Sequence, residues 1–598
     1  MPPANRKKLK TYAARFFMGV GIAATVLILL VVLALWRLSE PAPQRPDKMI
    51  VTINLDQPVV EQLEPSPLDF ALHEESISLL DILHGIDSAR TDPDVKALVV
   101  KFGGIQPTLA QAEEIRSAIV RFKASGKPTY AYGTSYGDFG TGNRAYFLAS
   151  VFDNIWLQPV GAVSLTGVAV EAPFGKGALD KLGVNGNFLH REEYKSFSET
   201  FTRENFSPPV RANMQNMLDD LAEQVAVGIA DGRKWDVAKV KQLMTKGPYT
   251  AEEALKLGLV THIGHADELD KELDTKVGED AEEVDVEDYL GFGGDSGKSK
   301  PKARVALIYG TGLITSHSNG PADMSGEGVM SADKVAGAFN DATDDKKIKA
   351  ILFRVDSPGG SPEASETIRA AMLHAQKAGK PVYVSMGSVA ASGGYWVSMS
   401  ADNITAEPGT ITGSIGVVAG KFVIGGLAQK LGVTFDTLTA GGGSANLWSM
   451  AKEFTPEQLE RMNAFLDSTY HVFVKDVSDG RKIPMDKMPD VAKGRVFTGA
   501  QAKKIGLVDQ LGGYDVALAE LRKKLELKPD DVLSVEVFPA PLSPAEKVMK
   551  ILKGVGIEGA MIRSALGQWR MAATIMAPFL DATEQKPVSA RIVLPVIR

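Results

Sequence analysis

Short apolar runs and amphipathic segments alternate along most of the chain. The runs at 48–55 and 303–310 are rich in β-branched and aliphatic residues, as buried strands are. Residues 108–123 and 362–377 instead carry apolar residues at helical spacing. Buried strands separated by helices are typical of a parallel sheet with right-handed crossovers, so we expect an α/β fold.

The same order of segments occurs twice. Residues 94–102 match 347–355 with an offset of 253 residues, and residues 248–264 match 496–512 with an offset of 248. Three further matches lie between these two: 126–132 with 379–385, 146–159 with 395–408, and 181–184 with 430–433. Because the offset changes by only a few residues, we expect two copies of one fold.

The matches also predict the domain boundaries. The first copy covers residues 48–278, and the second covers residues 303–540. The stretch 279–302 is acidic and then rich in Gly, Ser and Lys, which is the composition of a linker. Residues 541–598 lie outside the repeat, and we expect them to form a helical extension.

The N-terminus predicts a membrane anchor. Residues 1–15 carry five basic side chains, and residues 16–36 carry no charge. A run of this length can cross a bilayer of roughly 30 Å as a helix. The positive-inside rule then leaves the N-terminus in the cytoplasm and the body, beyond the spacer 37–47, on the other side. A cleaved signal peptide is the alternative, although no clear cleavage site follows the apolar run.

Composition excludes several kinds of chemistry. The chain has no cysteine, so it has no disulfides, thiol nucleophiles or cysteine-ligated metal sites. Its net charge of −7 argues against a nucleic-acid partner. We predict no cofactor and no metal ion.

A serine near the middle of the second copy is a candidate nucleophile. Residues 383–386 form an apolar, strand-like run that leads through small residues to Ser392. Gly393 and Gly394 follow, and residues 395–401 have a helical pattern. A serine at such a junction can project its hydroxyl from a sharp turn beside free helix N–H groups. The alternative is a plain helix cap, for which serine is a preferred residue.

Equivalent positions in the two copies differ in the residues that carry chemistry. Ser392 occurs only in the second copy, because Asn143 occupies the equivalent position of the first. Lys195 occurs only in the first copy, where its counterpart in the second is Ser444. A serine hydroxyl needs a base, and burial can lower the pKa of a lysine enough for this task. A site between the copies would combine the two residues; a solvated surface lysine is the alternative.

Two further motifs lie near the same predicted sheet edge. Gly359 and Gly360 stand between a strand and a helix, where backbone N–H groups can stabilise an oxyanion or simply form a turn. Ser414, in the segment 412–418, offers a hydroxyl group. The diglycine lacks the Gly-Lys-Ser/Thr sequence of a phosphate-binding loop.

These motifs in combination resemble peptidase family S49, in its long, tandem-repeat form. They are RVDSPGGS at 354–361, ASGGYW at 391–396, TGSIG at 412–416 and EYKS at 193–196. The resemblance implies two tandem crotonase/ClpP-like α/β domains behind a single N-terminal transmembrane helix.

The resemblance also implies roles for individual residues. Ser392 would be the nucleophile of a Ser/Lys dyad, and Lys195 its general base. Ser414 would orient the lysine amine, and the N–H groups of Gly359 and Gly360 would form the oxyanion hole.

The expected activity is that of a serine endopeptidase that degrades remnant signal peptides and other apolar peptides after their release from preproteins. The family resemblance places it in the bacterial inner membrane, with the body in the periplasm, as a homotetramer. Two alternatives remain: a crotonase-type acyl-CoA enzyme, and a non-enzymatic membrane scaffold in which Ser392 is only a helix cap.

Overall fold

A computed structural model describes residues 45–63, 76–138, 140–292, 301–317, 328–528 and 531–539. The predicted anchor at 16–36, the basic residues 1–15 and the extension 541–598 lie outside these ranges. Among the residues that the structure describes, no helix combines the length and apolarity that a membrane span requires.

The strands of the first half are short and mostly buried. They are β1 (Met49–Asn54), β2 (Val59–Val60), β3 (Ile77–Ser78), β4 (Val95–Phe102), β5 (Thr129–Gly133), β6 (Asn154–Leu157), β7 (Ala162–Val163), β8 (Asn185–His190), β9 (Tyr249–Thr250), β10 (His262–Ile263) and β11 (Glu282–Asp285). Those of the second half are β12 (Ala303–Thr311), β13 (Leu313–Thr315), β14 (Val329–Ser331), β15 (Ile348–Ser357), β16 (Val382–Ala391), β17 (Asn403–Ala406), β18 (Ile411–Gly413), β19 (Val418–Val423), β20 (Val496–Thr498), β21 (Gln510–Leu511) and β22 (Leu533–Phe538).

Helices connect these strands. In the first half they are α1 (Leu79–Thr91), α2 (Leu109–Lys123), α3 (Asn143–Ala149), α4 (Lys176–Leu182), α5 (Glu199–Thr202), α6 (Pro208–Arg233), α7 (Val237–Met244), α8 (Ala251–Leu257), α9 (Ala266–Val277) and α10 (Val286–Gly291). In the second half they are α11 (Ala332–Asp344), α12 (Pro362–Lys377), α13 (Gly393–Trp396), α14 (Gly425–Lys430), α15 (Pro456–Arg481), α16 (Met488–Val491), α17 (Gly499–Lys504) and α18 (Tyr514–Lys524), with a 3₁₀ turn at Met485–Lys487.

The two halves have the same sheet topology. The first sheet has the order β10-β6-β5-β4-β1-β11, and all its strands are parallel. The second sheet contains the matching order β21-β17-β16-β15-β12-β22, also parallel. It is extended by β18, which lies parallel to β16, and by β20, which lies antiparallel to β18. The prediction of a duplicated α/β fold is therefore confirmed.

Local sequence explains where the two predicted helices begin. Thr108 caps α2 in a capping box with Gln111, and the helix ends at Lys123. Ser361 caps α12, and its hydroxyl accepts a hydrogen bond from the Ala364 N–H.

Two local predictions differ from the structure. Residues 282–291, assigned above to the linker, form β11 and α10, and β11 pairs with β1 at the edge of the first sheet. The acidic residues there are mostly exposed, while Val284 and Val286 are buried, so an acidic composition does not prevent an edge strand. In the second half the sequence predicted a strand-like run at 383–386 followed by small residues, but β16 continues through these small residues to Ala391, because neighbouring strands pair with it there.

The halves are held together around a buried arginine. Arg354, on β15, is fully buried. Its Nε lies 2.8 Å from Glu61 Oε2, and its Nη2 lies 2.6 Å from Glu114 Oε1. Both glutamates belong to the first half and are buried as well. A buried charge network of this kind depends on every partner, because removal of one leaves the others unpaired in a medium of low polarity.

Arg354→Ala is therefore expected to lower the free energy of unfolding by about 3–5 kcal/mol, since it leaves two buried carboxylates without a counter-ion. Urea unfolding followed by tryptophan fluorescence would measure the change. Arg121→Ala is the matched control, because Arg121 pairs with Asp87 and Asp515 at a partly exposed position, where about 1 kcal/mol or less is expected. Equal losses in both variants would contradict this account of the interface.

Candidate active site

Ser392 lies at a sharp turn between a strand and a helix. It directly follows β16, and α13 begins at the next residue. Its φ of 56° lies in the positive region that few residues other than glycine adopt. The Ser392 N–H donates to Gly413 O at 2.8 Å, which fixes the turn against β18. Its hydroxyl makes no capping hydrogen bond to the helix, so the side chain does not act as a plain helix cap.

Lys195 approaches Ser392 because a strand of the first half pairs with a strand of the second half. β8 of the first half runs antiparallel to β19 of the second half. The pairing continues beyond the strands, since the Arg191 N–H donates to Val417 O at 2.9 Å. Lys195 lies shortly after β8, and Ser414 lies shortly before β19. The pairing therefore brings the loops that carry Lys195 and Ser414 side by side.

The lysine amine contacts both serines. Lys195 Nζ lies 2.7 Å from Ser392 Oγ, and 3.0 Å from both the Oγ and the carbonyl oxygen of Ser414. Only 1% of Lys195 is exposed. Burial lowers the pKa of Lys195 from 10.5 to about 7. A substantial fraction of the amine is then uncharged at neutral pH and can accept a proton from the Ser392 hydroxyl.

Ser414 itself is held in a constrained backbone conformation. Its φ is 52°, and its N–H donates to Arg495 O at 2.6 Å. Because the residue is buried and its backbone is bonded to Arg495, its two oxygen atoms have fixed positions relative to the lysine amine.

Two glycines allow the lysine segment to fit, and sequence reasoning did not find them. A Cβ on Gly494 would lie 2.6 Å from Lys195 N, and a Cβ on Gly416 would lie 3.2 Å from Lys195 Cδ. Gly494 also has a φ of 79°. Gly494 lies in none of the motifs found in the sequence. Gly416 is the last residue of the TGSIG motif, but the motif does not indicate this contact, because the neighbouring segment comes from the other half of the chain.

The diglycine turn lies against the first turn of α13. The Gly359 N–H donates to Ser357 Oγ at 3.1 Å, so it already has a partner. Among the described residues, the Gly360 N–H has no hydrogen-bond acceptor. The Gly360 nitrogen lies 3.0 Å from the position that a Cβ on Gly393 would occupy. Gly393 is the first residue of α13, where helix N–H groups have no acceptor within the helix. The geometry thus places the amides of Gly360 and Gly393 near each other.

The equivalent place in the first half has no such chemistry. Asn143 stands where Ser392 stands in the second copy, and its side chain bonds Gly167 O and the Thr166 N–H. The counterpart of Ser414 is Leu165, which is fully buried in the first core. Ser444, the counterpart of Lys195, is exposed. Asn143 and Leu165 therefore bond and pack within the first half, and these three positions do not combine a buried hydroxyl with a buried amine.

Comparisons with known proteins agree with a hydrolytic site. The family model described as peptidase family S49 matches residues 121–279 and 374–528. Protease 4 of Salmonella typhi is 34% identical over 75% of this chain and 72% of its own length. Protease 4 of Haemophilus influenzae is 32% identical over 77% of this chain and 76% of its own. The chloroplastic serine protease SPPA of Arabidopsis thaliana is 29% identical over 85% of this chain and 73% of its own.

Among solved structures, a ClpP1 variant from Listeria monocytogenes matches 36% of this chain and 94% of its own, with 15% identity and a TM-score of 0.24. The fold described above rests on the strand order of the two sheets and not on this match.

The depressed pKa of Lys195 predicts a pH-dependent stability. Between about pH 7 and 10.5 the unfolded chain binds a proton at Lys195 that the folded chain does not bind, so folding becomes more favourable as pH rises. Below about pH 7 the amine is charged in both the folded and the unfolded chain, so the folded chain bears the full free-energy cost of burying the charge. We therefore compare the free energy of unfolding of wild type with that of Lys195→Met at each pH. Between pH 7 and 10.5 this difference should change in favour of wild type by a few kcal/mol, the order of magnitude that the pKa shift implies.

Urea unfolding of both proteins across that pH range would measure the difference. Lys346→Met serves as the control, because Lys346 is exposed and its replacement removes the same charge. A difference in stability between wild type and Lys195→Met that does not change with pH would contradict the assignment of a neutral amine.

Proposed function

The chain belongs to peptidase family S49 and is a serine protease, and we propose that Ser392 and Lys195 form its catalytic dyad in a membrane-anchored endopeptidase for apolar peptides. The observation that carries this proposal is the 2.7 Å contact between Lys195 Nζ and Ser392 Oγ, with both residues buried. A lysine in water is a poor base at neutral pH, and burial against neutral oxygen atoms removes that obstacle.

In the proposed reaction, neutral Lys195 accepts the proton of the Ser392 hydroxyl while Oγ attacks the peptide carbonyl carbon. The tetrahedral intermediate collapses as the C–N bond breaks, and the lysine ammonium gives its proton to the leaving amine. Water then attacks the acyl-enzyme, with Lys195 again taking a proton, and this proton passes to Ser392 Oγ as the ester bond breaks, which regenerates the neutral amine and the serine hydroxyl. Ser414 orients the amine through its two oxygen atoms.

For the oxyanion we assign the N–H groups of Gly360 and Gly393. The sequence predicted Gly359 and Gly360 for this task. The Gly359 N–H is occupied by the Ser357 hydroxyl, whereas the Gly393 N–H starts the helix that follows the nucleophile. Two free amides beside a nucleophile stabilise the negative charge that develops on the carbonyl oxygen, and this is usually the largest single contribution to such a reaction.

Four aromatic side chains support an apolar substrate. Phe188, Phe197, Phe201 and Phe422 pack edge to face or stacked, with ring centroids 5.1 to 6.4 Å apart. All four are only partly buried, and they lie on or beside the β8–β19 pair that carries Lys195 towards Ser392. We propose that remnant signal peptides, which are apolar and extended, lie along this surface, where main-chain bonding is independent of sequence.

The place of action follows from the residues before the body. The uncharged run 16–36 is proposed as a single inner-membrane span, with the basic residues 1–15 in the cytoplasm and the body in the periplasm. Anchoring would keep the site near the membrane in which signal peptides are left. We further propose that the protein assembles as a homotetramer.

Replacement of either dyad residue tests the proposed chemistry. Ser392→Ala and Lys195→Ala should each lower kcat/KM for a fluorogenic apolar peptide by at least about 10³-fold, since the nucleophile or its base is lost.

In wild type, kcat/KM should rise with pH through about 7, because only the neutral form of Lys195 accepts the proton.

Circular dichroism would show that both variants are folded, and a fluorophosphonate probe would report whether the serine reacts. Lys127→Ala is a suitable control, because Lys127 is also partly buried but bonds the carbonyl oxygens of Ala89 and Asp92, away from both serines. Near-normal turnover by Lys195→Ala would show that the base is another group.

Removal of residues 1–44 tests the proposed anchor. The shortened chain should leave the membrane fraction and remain soluble after an alkaline carbonate wash, because the apolar run 16–36 is gone. Its peptide turnover should stay within a few-fold of that of the full chain. An unrelated apolar segment of the same length in place of 16–36 should restore membrane association. Retention of the shortened chain in the membrane would contradict the proposed topology.

A further inference from the structure

The tyrosine of the EYKS motif has no role in the proposed reaction, although it directly precedes Lys195. Tyr194 is partly buried, and its ring lies against Arg495 of the second half. The guanidinium carbon of Arg495 lies 4.3 Å from the ring centroid, and its Nη2 donates to Tyr194 Oη at 3.3 Å. A guanidinium over an aromatic face at this distance makes a favourable cation–π contact.

The guanidinium of Arg495 is itself held in one orientation. Its Nη1 donates to Pro489 O at 2.7 Å and to Asp490 O at 3.3 Å. Both carbonyl groups belong to α16, the short helix just before Arg495. Carbonyl groups at the end of a helix have no N–H donor within the helix, and a basic side chain can supply one. The planar guanidinium therefore bridges α16 and the Tyr194 ring.

The backbone of Arg495 contacts the other side of the site. Its carbonyl oxygen accepts the Ser414 N–H at 2.6 Å. Ser414 supplies two of the oxygen atoms that surround the Lys195 amine. Through its main chain, Arg495 thus fixes the residue that binds the amine. Through its side chain, it fixes Tyr194, the residue next to the lysine backbone.

The two residues before Arg495 connect the same loops through their backbones. The Gly494 N–H donates to Ile415 O at 2.8 Å, and the Tyr194 N–H donates to Lys493 O at 3.2 Å. These backbone bonds do not depend on the identity of a side chain. A replacement of the Tyr194 or Arg495 side chain therefore tests their contact separately from the backbone bonds.

We propose that Arg495 and Tyr194 are positioning residues, which together hold the Lys195 amine at hydrogen-bond distance from Ser392 Oγ. The proposal rests on the function proposed above. A lysine amine stands on a flexible four-carbon stem, so its position depends on the loop that carries it. A displacement of about 1 Å in such a group can lower a rate about 10²-fold. It would also admit water to the amine and return its pKa towards the ordinary value.

Other charged groups around this loop form ion pairs with one another. The pairs are Arg191 with Asp467, and Lys493 with both Glu192 and Glu193. The hydrogen-bond partners of Arg495 named above are neutral groups. Removal of the Arg495 charge would raise the pKa of Lys195 even without movement, because a positive neighbour disfavours a second positive charge. The variants that test the proposal must therefore keep the net charge.

Tyr194→Leu in the full chain is the first such variant, because it removes the ring face and the hydroxyl group. For the fluorogenic apolar peptide, kcat should fall about 10²-fold while KM changes by less than about three-fold. The midpoint of the rise of kcat/KM with pH should increase by at least about one pH unit, since the amine is solvated. Tyr194→Phe keeps the ring face and should restore both values to within about three-fold of wild type.

Arg495→Lys is the second variant, because lysine keeps the charge but cannot bond α16 and stack on the ring at once. It should lower kcat about 10-fold, and the double variant with Tyr194→Leu should lose little more than Tyr194→Leu alone, since one contact is removed twice. Arg233→Lys is the matched control. Arg233 lies 5.7 Å from the Trp235 ring centroid and donates to Gly258 O, all within the first half. Its replacement should leave kcat within about two-fold of wild type.

A measurement without substrate separates this proposal from the proposed function. Urea unfolding would compare wild type with Lys195→Met, and Tyr194→Leu with the double variant Tyr194→Leu/Lys195→Met. The change of this stability difference with pH should be smaller in the Tyr194→Leu pair, because its Lys195 pKa is closer to the ordinary value. An equal change in both pairs would overturn the positioning role and leave the dyad intact. Activity of Lys195→Ala would instead contradict the dyad.

Three further results would overturn the proposal. If Tyr194→Leu raised KM but left kcat and the pH profile unchanged, the ring would be a substrate contact. If the losses in Tyr194→Leu and Arg495→Lys multiplied in the double variant, the two residues would not act as one contact. If Arg233→Lys lowered kcat as much as Arg495→Lys, the effect would be a general loss of stability. Circular dichroism would verify the fold of each variant.

Discussion

The site depends on the burial of one amine without a counter-ion. Lys195 Nζ is surrounded by the neutral oxygen atoms of two serines, and no carboxylate of the described residues is among its hydrogen-bond partners. A nearby acid would hold the proton on the amine and raise its pKa, which is the opposite of what a base needs. Neither half of the chain by itself can exclude water from the amine, because the lysine comes from one half and both serines come from the other. The docking of the halves is therefore part of the chemistry.

Charge is arranged differently at another place in the contact between the halves. Arg354 is buried with two glutamates of the first half, and its guanidinium also stacks on the Tyr514 ring at 4.3 Å. This network supplies fixed, paired charges that position β15 and the turn after it relative to α2. The amine of Lys195 contacts only neutral oxygen atoms, whereas Arg354 is paired with two carboxylates, so the same interface can be strongly polar in one place and neutral in another. A rigid interface of this kind keeps water away from the amine.

Much of this could be predicted from the sequence, and the reasons for the exceptions are physical. The repeat offsets and the apolar runs predicted the duplicated parallel sheet, because strand and helix periodicity are local properties. Ser392 and Lys195 were selected because each is absent from the other copy, and the structure places them in contact. The β8–β19 pair, the fit of Gly494 against Lys195 and the free amide of Gly393 were not predicted, since each depends on segments far apart in sequence. The edge strand β11 within the acidic stretch was missed, because an acidic composition indicates that side chains are exposed to water but does not show whether the backbone pairs with a neighbouring strand.

Duplication followed by divergence explains why the proposed base and the proposed nucleophile lie so far apart in the chain. In a contact made between two identical copies, every junction would carry both residues, and each copy would have to satisfy the backbone strain at Ser392 and the buried amine at once. In the joined chain only one site keeps these costly features, and the equivalent place in the first half has Asn143 and Leu165, which bond and pack in ordinary ways. Strain and unpaired burial are each of order 1 to several kcal/mol, which is a considerable part of the net stability of a domain. The absence of the two residues from the equivalent place in the first half therefore avoids a second such cost, and the β8–β19 pairing keeps Ser392 and Lys195 together.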